Sequence, residues 1–339
     1  MANLLNAEVG PCHGGGPRGD HHHPIIAWAR FCTTWVFLWG VLATSGRATS
    51  LPAGSTSFRV MTYNVENYLL QPTASRPGKS PASRDKVAES IVAGRPDILA
   101  LQEMGDVTAL RELQQRLRNR GLDLPYWEHI RGWDTNIFVA CLSRFPIVRR
   151  LPHTNESFLL NGRRWHVSRG IGEVEIEVSP RYHLTLITAH LKSKRAIGEA
   201  SETEIREHEA AVLRELIEAR LRARPDANLV VCGDFNDTRN TATLRTLVGE
   251  REPRLFDPRP VERNGDAAPS ENPRYEPRRI TWTHYFGRED TYSRLDYLLV
   301  SRGLKREWCP EKSEVVSVPD WGQGSDHRPV LCEFYAQDR

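Results

Sequence analysis

Strand-like and helix-like segments alternate along this chain from about residue 57 to its end, and no linker interrupts them. Short runs rich in Val, Ile, Leu and aromatic residues, bounded by Gly, Pro, Asn or Asp, are typical of strands. This alternation predicts a single α/β domain over residues 55–337. The predicted strands are Phe58–Val65, Ile98–Gln102, Ile137–Leu142, Ile171–Val178, His183–Ala189, Leu229–Cys232, Arg294–Val300 and Val330–Phe334.

Helical spacing of apolar residues fills several of the intervals between these strands. It predicts helices over Arg84–Ala93, Asp106–Arg120 and Ser201–Arg224. The last of these begins with a Ser-x-x-Glu capping box and stops before a proline, as helices commonly do. Two stretches rich in proline, Gln71–Ser83 and Asp257–Arg279, are predicted to be surface loops.

Composition narrows the functional classes. The 339 residues carry a net charge of +3, and 39% of them are hydrophobic, which excludes collagen-like, coiled-coil and wholly disordered chains. A protein that coats nucleic acid would be far more basic, but a nuclease needs only a local patch or a metal. The six cysteines show no Cys-x-x-Cys spacing, which argues against zinc and dithiol chemistry.

Residues 1–50 are predicted to be a leader outside the fold. Arg30 precedes a short apolar run, residues 31–43, and small residues follow it. This pattern is typical of a secretory signal peptide, and the run is shorter than the roughly 18–20 residues of a membrane span. We therefore expect export to the periplasm or the extracellular space, with an uncleaved anchor through residues 31–43 as the alternative. The tract His21-His22-His23 is interpreted as low-complexity leader sequence and not as a metal site.

Polar residues follow the predicted strands at the points where the apolar runs end. Taken singly, several of these residues also have a structural explanation: an Asx turn at Asp234 and Asn236, a helix-start carboxylate at Glu103, a structural histidine at His190, or a polar turn at Asp326 and His327. As a group they sit where catalytic side chains usually gather, on loops held by a rigid sheet. The complete set is Asn64, Glu66, Glu103, His190, Asp234, Asn236, Asp296, Asp326 and His327.

The chemistry of this set points to one reaction class. Carboxylates and carboxamides supply the hard oxygen ligands that Mg²⁺ or Mn²⁺ prefers over zinc. Histidines beside carboxylates supply acid–base groups that titrate near neutral pH. No serine nucleophile elbow and no phosphate-binding P-loop is present in the sequence. The set therefore predicts metal-assisted hydrolysis of a phosphate ester.

The ordered series of motifs resembles the endonuclease/exonuclease/phosphatase superfamily, whose fold is that of pancreatic deoxyribonuclease. The resemblance spans about residues 58–336. It implies an α/β four-layer sandwich in which two packed, mainly antiparallel β-sheets are flanked by helices. The motifs are TYNVEN around Asn64, LALQE with Glu103, LSRFPI from Leu142, TAHLKSK with His190, CGDFND with Asp234, SRLDYLLVS with Asp296 and GSDHRPV with His327.

The same resemblance implies roles for the residues. Glu103 would be the principal metal ligand, with Asn64, Glu66 and Asp326 completing or supporting the metal site. Asp296 would orient His327, and which histidine is acid and which is base stays open. The implied catalytic residues are His190, Asp234, Asn236, Asp296 and His327, and Asp134 and Asn136 are further candidates for lining the site.

The substrate is less constrained, because this fold serves many phosphate esters. Lys192, Lys194 and Arg195 follow His190 and favour an exported nuclease whose basic residues bind the phosphates of DNA or RNA, with a solvated basic loop as the alternative explanation. The stretch Arg163–Arg169 predicts either a basic, aromatic strip or a hairpin turn. A phosphatase or a phosphodiesterase of nucleotides or lipid headgroups is the alternative, and a noncatalytic binding module is the second alternative. We expect a monomer without a stable protein partner.

Overall fold

The computed structural model describes residues 57–195, 198, 200–263 and 279–337, so the predicted leader over residues 1–50 lies outside the described residues. Its strands are β1 (Ser57–Tyr68), β2 (Ile98–Met104), β3 (Tyr126–Ile130), β4 (Phe138–Ser143), β5 (Ile147–His153), β6 (Ser157–Leu160), β7 (Arg163–His166), β8 (Ile171–Ser179), β9 (Tyr182–His190), β10 (Leu229–Asp234), β11 (Val261–Glu262), β12 (His284–Phe286), β13 (Thr291–Ser293), β14 (Asp296–Val300), β15 (Trp308–Val315) and β16 (Val330–Tyr335). The helices are α1 (Pro81–Gly94), α2 (Val107–Asn119), α3 (Glu202–Ala223), α4 (Ala242–Val248) and α5 (Arg302–Lys305).

Two large sheets form the centre of the fold. Sheet I has the strand order β11-β15-β16-β1-β2-β4-β3, and sheet II has the order β14-β10-β9-β8-β5. The pairs β1–β2, β9–β10 and β11–β15 are parallel, and the other pairs in the two sheets are antiparallel. Buried side chains from both sheets form one core between them, as Val60 and Ile98 of sheet I share it with Leu186 and Val230 of sheet II.

Helices cover the outer faces of both sheets. The apolar stripes of α1 and α2, which include Ile91 and Leu113, pack on sheet I. The buried stripe of α3 and the short α4, which include Leu213 and Leu244, pack on sheet II. Because side chains alternate between the two faces of a strand, each sheet can bury one face on the other sheet and one on helices. The predicted four-layer α/β sandwich is confirmed.

Local signals place the helix ends. The side chain of Ser201 accepts the N–H of Glu204 at the start of α3, as the capping box predicts. The side chain of Ser80 accepts the N–H of Ser83, so α1 begins at Pro81, and the preceding loop is shorter than predicted. Among the described residues no helix is both long enough and apolar enough to cross a membrane.

The sequence pattern does not predict several of the strands. Strand β5 lies at the edge of sheet II and exposes three residues in succession, Val148, Arg149 and Arg150, so it lacks the alternation of a half-buried strand. The hairpin β6–β7 pairs Phe158 with Trp165, which resolves the stretch from Arg163 as a hairpin. Such strands are specified by their partners in the sheet more than by their own residues.

Candidate active site

Three catalytic candidates lie side by side because of the register of sheet II. Asp234 at the end of β10 pairs with His190 at the end of β9 and with Asp296 at the start of β14. Gly233 sets this close approach: its φ is 140°, and a Cβ there would lie 1.9 Å from the carbonyl oxygen of Ala189. Only glycine fits, so the Gly-Asp pair serves the geometry of the site.

The carboxylate of Asp234 is the centre of the hydrogen-bond network. Its Oδ2 accepts hydrogen bonds from Asn64 Nδ2 at 2.9 Å and from Asn236 Nδ2 at 3.2 Å, and its Oδ1 accepts the N–H of Asn236 at 2.9 Å. His190 Nε2 and His327 Nε2 lie 3.4 and 3.7 Å from Oδ2. Burial, with a smaller contribution from the charge of Asp296, raises the pKa of Asp234 to about 6.

His327 is held from both sides. Its Nδ1 lies 2.7 Å from Asp296 Oδ2, and its backbone N–H donates to the hydroxyl of Ser325. Thr283 Oγ1 accepts the N–H groups of Leu295 and Asp296, which fixes the start of β14. Burial disfavours the imidazolium, yet the charges of Asp296 and Asp234 raise the pKa of His327 well above its usual range.

His190 shows the opposite electrostatics. Its side chain is buried, and its Nδ1 has no hydrogen-bond partner within the described part of the chain. Burial and the charge of Arg169 hold the pKa of His190 well below its usual range. His190, Asp234, Asp296 and His327, which we call the inner cluster, therefore combine one neutral and one protonated imidazole at neutral pH.

Three carboxylates, Glu66, Glu103 and Asp326, lie toward solvent and are called the outer carboxylates. The backbone at Glu66 and Glu103 is left-handed, with φ of 42° and 57°, which is uncommon for residues other than glycine and recurs at functional sites. Glu103 Oε2 accepts the N–H of Asn67 at 2.9 Å. Asp326 Oδ2 lies 3.5 Å from Nε2 of His284, a residue that was not singled out in the sequence.

The outer carboxylates fit a divalent cation by their charge and their donor atoms. Burial raises the pKa of Glu66, and the nearby charges of Asp326 and Glu103 raise it further. Lys79, whose Nζ lies 3.7 Å from Glu66 Oε2, offsets only part of this repulsion. Oxygen donors that carry negative charge are the ligands that Mg²⁺ and Mn²⁺ prefer.

The geometry refines the set of residues that could hold a metal. Within the described residues, two compact groups have ligand atoms within 4.8 Å of one another, namely His284, Asp326 and His327, and Asp234, Asp296 and His327. Neither group contains Glu103. Asn64 directs Nδ2 toward Glu103 at 3.4 Å and toward Asp234, while its Oδ1 accepts the N–H of Glu66. Asn64 therefore bridges the outer carboxylates and the inner cluster.

The basic residues after His190 divide into two kinds. Lys192 is buried, and its ammonium donates to the carbonyl oxygens of Ser193 and Arg195 at 3.0 and 2.6 Å, so it stabilises its own loop. The side chains of Lys194 and Arg195 are exposed. In the β6–β7 hairpin Arg163 and Arg164 are exposed, whereas Arg169 is buried and donates to the carbonyl oxygen of Leu191.

Asp134 lies between Arg76 and Arg169, and Arg76 is a residue near the site that the sequence did not indicate. Asp134 Oδ2 lies 3.9 Å from Arg76 Nη2 and 3.8 Å from Arg169 Nε, and Asp134 Oδ1 accepts the N–H of Asn136. Arg76 also donates to the side chain of Asn67, which binds Glu103 through its N–H. Arg76 lies in the proline-rich loop after β1, where nothing in the sequence marks it as part of a site.

Comparison with solved structures supports the fold. The chain is similar to the catalytic domain of human Nocturnin with bound sulfate (TM-score 0.57, 17% identity, 83% of this chain and 95% of that chain). It is also similar to truncated Caenorhabditis elegans TDP2 (0.52, 15%, 83% and 98%) and to beta toxin from Staphylococcus aureus (0.53, 16%, 83% and 100%). A search of curated proteins finds no match.

The sequence itself matches the family model described as "Endonuclease/Exonuclease/phosphatase family" over residues 61–327. This range includes every residue of the inner cluster and every outer carboxylate. The chain therefore belongs to the endonuclease/exonuclease/phosphatase family, whose members are metal-dependent hydrolases of phosphate esters.

Proposed function

We propose that this protein is an exported, divalent-metal-dependent nuclease that hydrolyses phosphodiester bonds in DNA or RNA. The observation that carries the chemistry is the convergence of His190, Asp234, Asp296 and His327 at one end of sheet II. Side chains held by buried hydrogen bonds on rigid strands need little reorganisation when charge develops in a transition state.

The pKa values of Asp234, His190 and His327 are shifted in different directions, which gives each residue a different role in the proposed reaction. Asp234, whose pKa is raised to about 6, is ionised at neutral pH and basic enough to orient and deprotonate an attacking water. His327, protonated and aligned by Asp296, donates a hydrogen bond to a nonbridging phosphate oxygen. His190 is neutral and donates to the phosphate or to the leaving oxygen, and Asn236 stabilises charge that develops on the phosphate.

Glu103, Glu66 and Asp326 would hold the cation, with Asn64 supporting their arrangement. A bound Mg²⁺ or Mn²⁺ would neutralise charge on the nonbridging oxygens. In its absence the outer carboxylates would repel an incoming phosphate. We therefore expect that strict metal dependence arises from these residues.

Basic groups around the site support a nucleic-acid substrate. The positive charges of Arg169, Arg76 and Lys192 lower the pKa of His190, and the same charges would attract a phosphate bound beside it. The exposed Lys194 and Arg195 lie a few residues further along the same loop. Phosphates flanking the scissile bond would be attracted by these groups.

Nicking of supercoiled plasmid by the full chain tests this proposal. Nicking should require Mg²⁺ or Mn²⁺, stop on addition of EDTA and be lost in Asp234→Ala. The matched control is Asp123→Ala, because Asp123 is an exposed aspartate on the surface. Absence of nicking and of RNA cleavage, in a protein that still binds the metal, would overturn the nuclease assignment. Nucleotides, inositol phosphates and lipid headgroups would then be assayed as substrates.

Export is a separate part of the proposal and depends on residues 31–43. Fractionation of cells that produce the full chain, followed by N-terminal sequencing, tests it. We expect a mature protein without the leader outside the cytoplasm. An intact chain in the cytoplasm would contradict export, and an intact chain in the membrane fraction would support the anchor instead.

A further inference from the structure

A groove of about 780 Å³ opens on the outer face of sheet II, beside the edge strand β14. It lies between α4, residues 249–257 and α5. Its floor is apolar and consists of buried side chains from three elements, Leu244, Leu255, Tyr297 and Leu299. The volume lies within the range of about 300–1,000 Å³ that ligand sites typically have.

The rim of this groove is rich in exposed basic residues. None of these cations makes an ion pair with a carboxylate in the described part of the chain, although Arg245 donates to the carbonyl oxygen of Asn240 and Lys305 lies over the ring of Phe256. By contrast, the buried Arg206 pairs with Asp237 at 3.2 Å. The basic rim residues are Arg239, Arg245, Arg254, Arg302 and Lys305.

Acidic residues do not balance this charge. Glu250, Glu252 and Asp257 also line the groove. Both carboxylate oxygens of Asp257 already accept hydrogen bonds from Arg294 at 2.7 Å. The groove therefore presents a net positive rim above an apolar floor, which is a surface suited to an anion longer than a single phosphate.

The groove lies close along the chain to the catalytic end of sheet II, on the opposite face of β14 from the Asp296 side chain. Strand β14 begins at Asp296 of the inner cluster, and the next residue, Tyr297, belongs to the groove floor. The hydroxyl of Tyr297 donates to the carbonyl oxygen of Asp237, directly after Asn236. From Asp296 to Val300 the strand covers about 13 Å at the rise of an extended strand, and Arg302 begins α5 two residues further on.

We propose that this groove binds the phosphodiester backbone of a single-stranded nucleic acid that extends away from the active site along β14. The inference rests on the proposed nuclease function and adds to it a polymeric substrate with a defined direction. Unpaired arginines spaced along a groove can each displace a counterion from a phosphate, and such binding needs no base recognition.

The test compares two double variants of the full chain by fluorescence anisotropy with a fluorescein-labelled 20-nucleotide DNA strand. EDTA is present so that the strand is not cleaved. The groove variant is R254A/R302A. The matched control is R149A/R181A, which removes the same charge from exposed arginines on β5, the opposite edge strand, and on the β8–β9 turn.

Single-stranded binding depends on salt with a slope of about −0.7 per phosphate contact, so the groove variant should reduce the magnitude of the slope by about 1.4. The same relation gives an affinity about 25-fold weaker at 0.1 M salt, whereas the control should match the parent. All variants should unfold at the parent's temperature, because the substituted side chains are exposed.

Equal slopes for the groove variant and the control would overturn the proposal, as would a parent that does not bind the strand. Displacement of the strand by micromolar pyrophosphate would also overturn it, in favour of a small-anion site. Hydrolysis of bis(4-nitrophenyl) phosphate by the parent separates the two proposals. If the parent hydrolyses this diester and the groove variant binds the strand as the parent does, the groove proposal is wrong and the nuclease proposal stands. If it hydrolyses no diester while groove-dependent binding persists, the nuclease function fails instead.

Discussion

The inner cluster and the outer carboxylates lie next to each other but differ in burial and in how their charges are balanced. The inner cluster is buried, with relative exposures of 0–5%, and alternates acids with histidines. The side chains of Glu66 and Asp326 are 43% and 44% exposed, and the charge of Asp326 raises the pKa of Glu66. One half of the site therefore pairs buried acids with histidines, while in the other half Lys79 offsets only part of the repulsion that Glu66 experiences from its neighbouring acids.

This difference predicts that substitutions in the two halves of the site have different effects. Buried groups that satisfy one another stay in place without a ligand, and any single change leaves a partner uncompensated. Carboxylates that share a half-exposed space tolerate substitution better, because water screens their charges. Substitutions in the inner cluster should therefore remove the chemistry itself, and substitutions among the outer carboxylates should change the metal requirement.

Asp234→Asn should have the largest effect. The amide nearly keeps the shape of the side chain but cannot take a proton from water, so kcat should fall by about 10³–10⁴ at saturating metal. Initial rates of diester hydrolysis measure the loss, and Asp123→Asn on the surface serves as the control. A variant that stays within tenfold of the parent would show that Asp234 is not the base.

Asp296→Asn should cost somewhat less, about 10²–10³ in kcat, because it acts through His327 and does not touch the substrate. The charge of Asp296 helps to raise the pKa of His327, so that pKa should fall in the variant, as NMR titration of the imidazole can measure. Thr283→Ser, which keeps the hydroxyl that binds the Asp296 N–H, should retain activity. An unchanged pKa of His327 would contradict this role.

Glu103→Gln should instead alter the metal requirement. Loss of one charged ligand should raise the concentration of Mg²⁺ for half-maximal activity by about 10–100-fold, and added metal should restore much of the rate. Titration of activity with Mg²⁺ measures this, with the exposed Glu89→Gln as the control. If the metal requirement were unchanged, the compact groups around His327 would become the better candidates for the metal site.

The pH dependence of the rate reports on the inner cluster alone when metal is saturating. Because the pKa of Asp234 is raised to about 6, the base form is lost as the pH falls through that value. Between pH 7 and pH 5 the rate should fall by about tenfold, while His327 stays protonated throughout. A flat profile down to pH 5 would mean that another group, or none, acts as the base.

Much of the inner cluster could be predicted from the sequence because three of its residues, His190, Asp234 and Asp296, lie at the ends of strands. Once His190 and Asp234 end apolar runs and Asp296 begins one, an ordinary sheet places them together, and the structure does so. The four-layer sandwich follows in the same way from amphipathic helices and doubly buried strands.

The sequence does not show where polar side chains point or which distant segments of the chain pack together. The ammonium of Lys192 turns to carbonyl oxygens of its own loop, and Asn64 directs its Nδ2 toward two acids. Arg76 reaches the site from a loop with no local signal. The groove cations Arg254 and Arg302 come from separate segments that only tertiary packing brings together.

Glu66→Gln should produce the smallest effect and the clearest contrast between the two halves. In the metal-free protein the raised pKa of Glu66 means that its ionised form opposes folding at neutral pH. The amide should therefore leave the free energy of unfolding unchanged or raise it by up to about 0.5 kcal/mol, since solvent screens the site. Chemical unfolding in EDTA measures this, and in excess Mg²⁺ the sign should reverse because a ligand is lost. Destabilisation in EDTA, as we expect for Asp296→Asn, would contradict this contrast. It would show that the outer carboxylates, like the inner cluster, stabilise the metal-free protein.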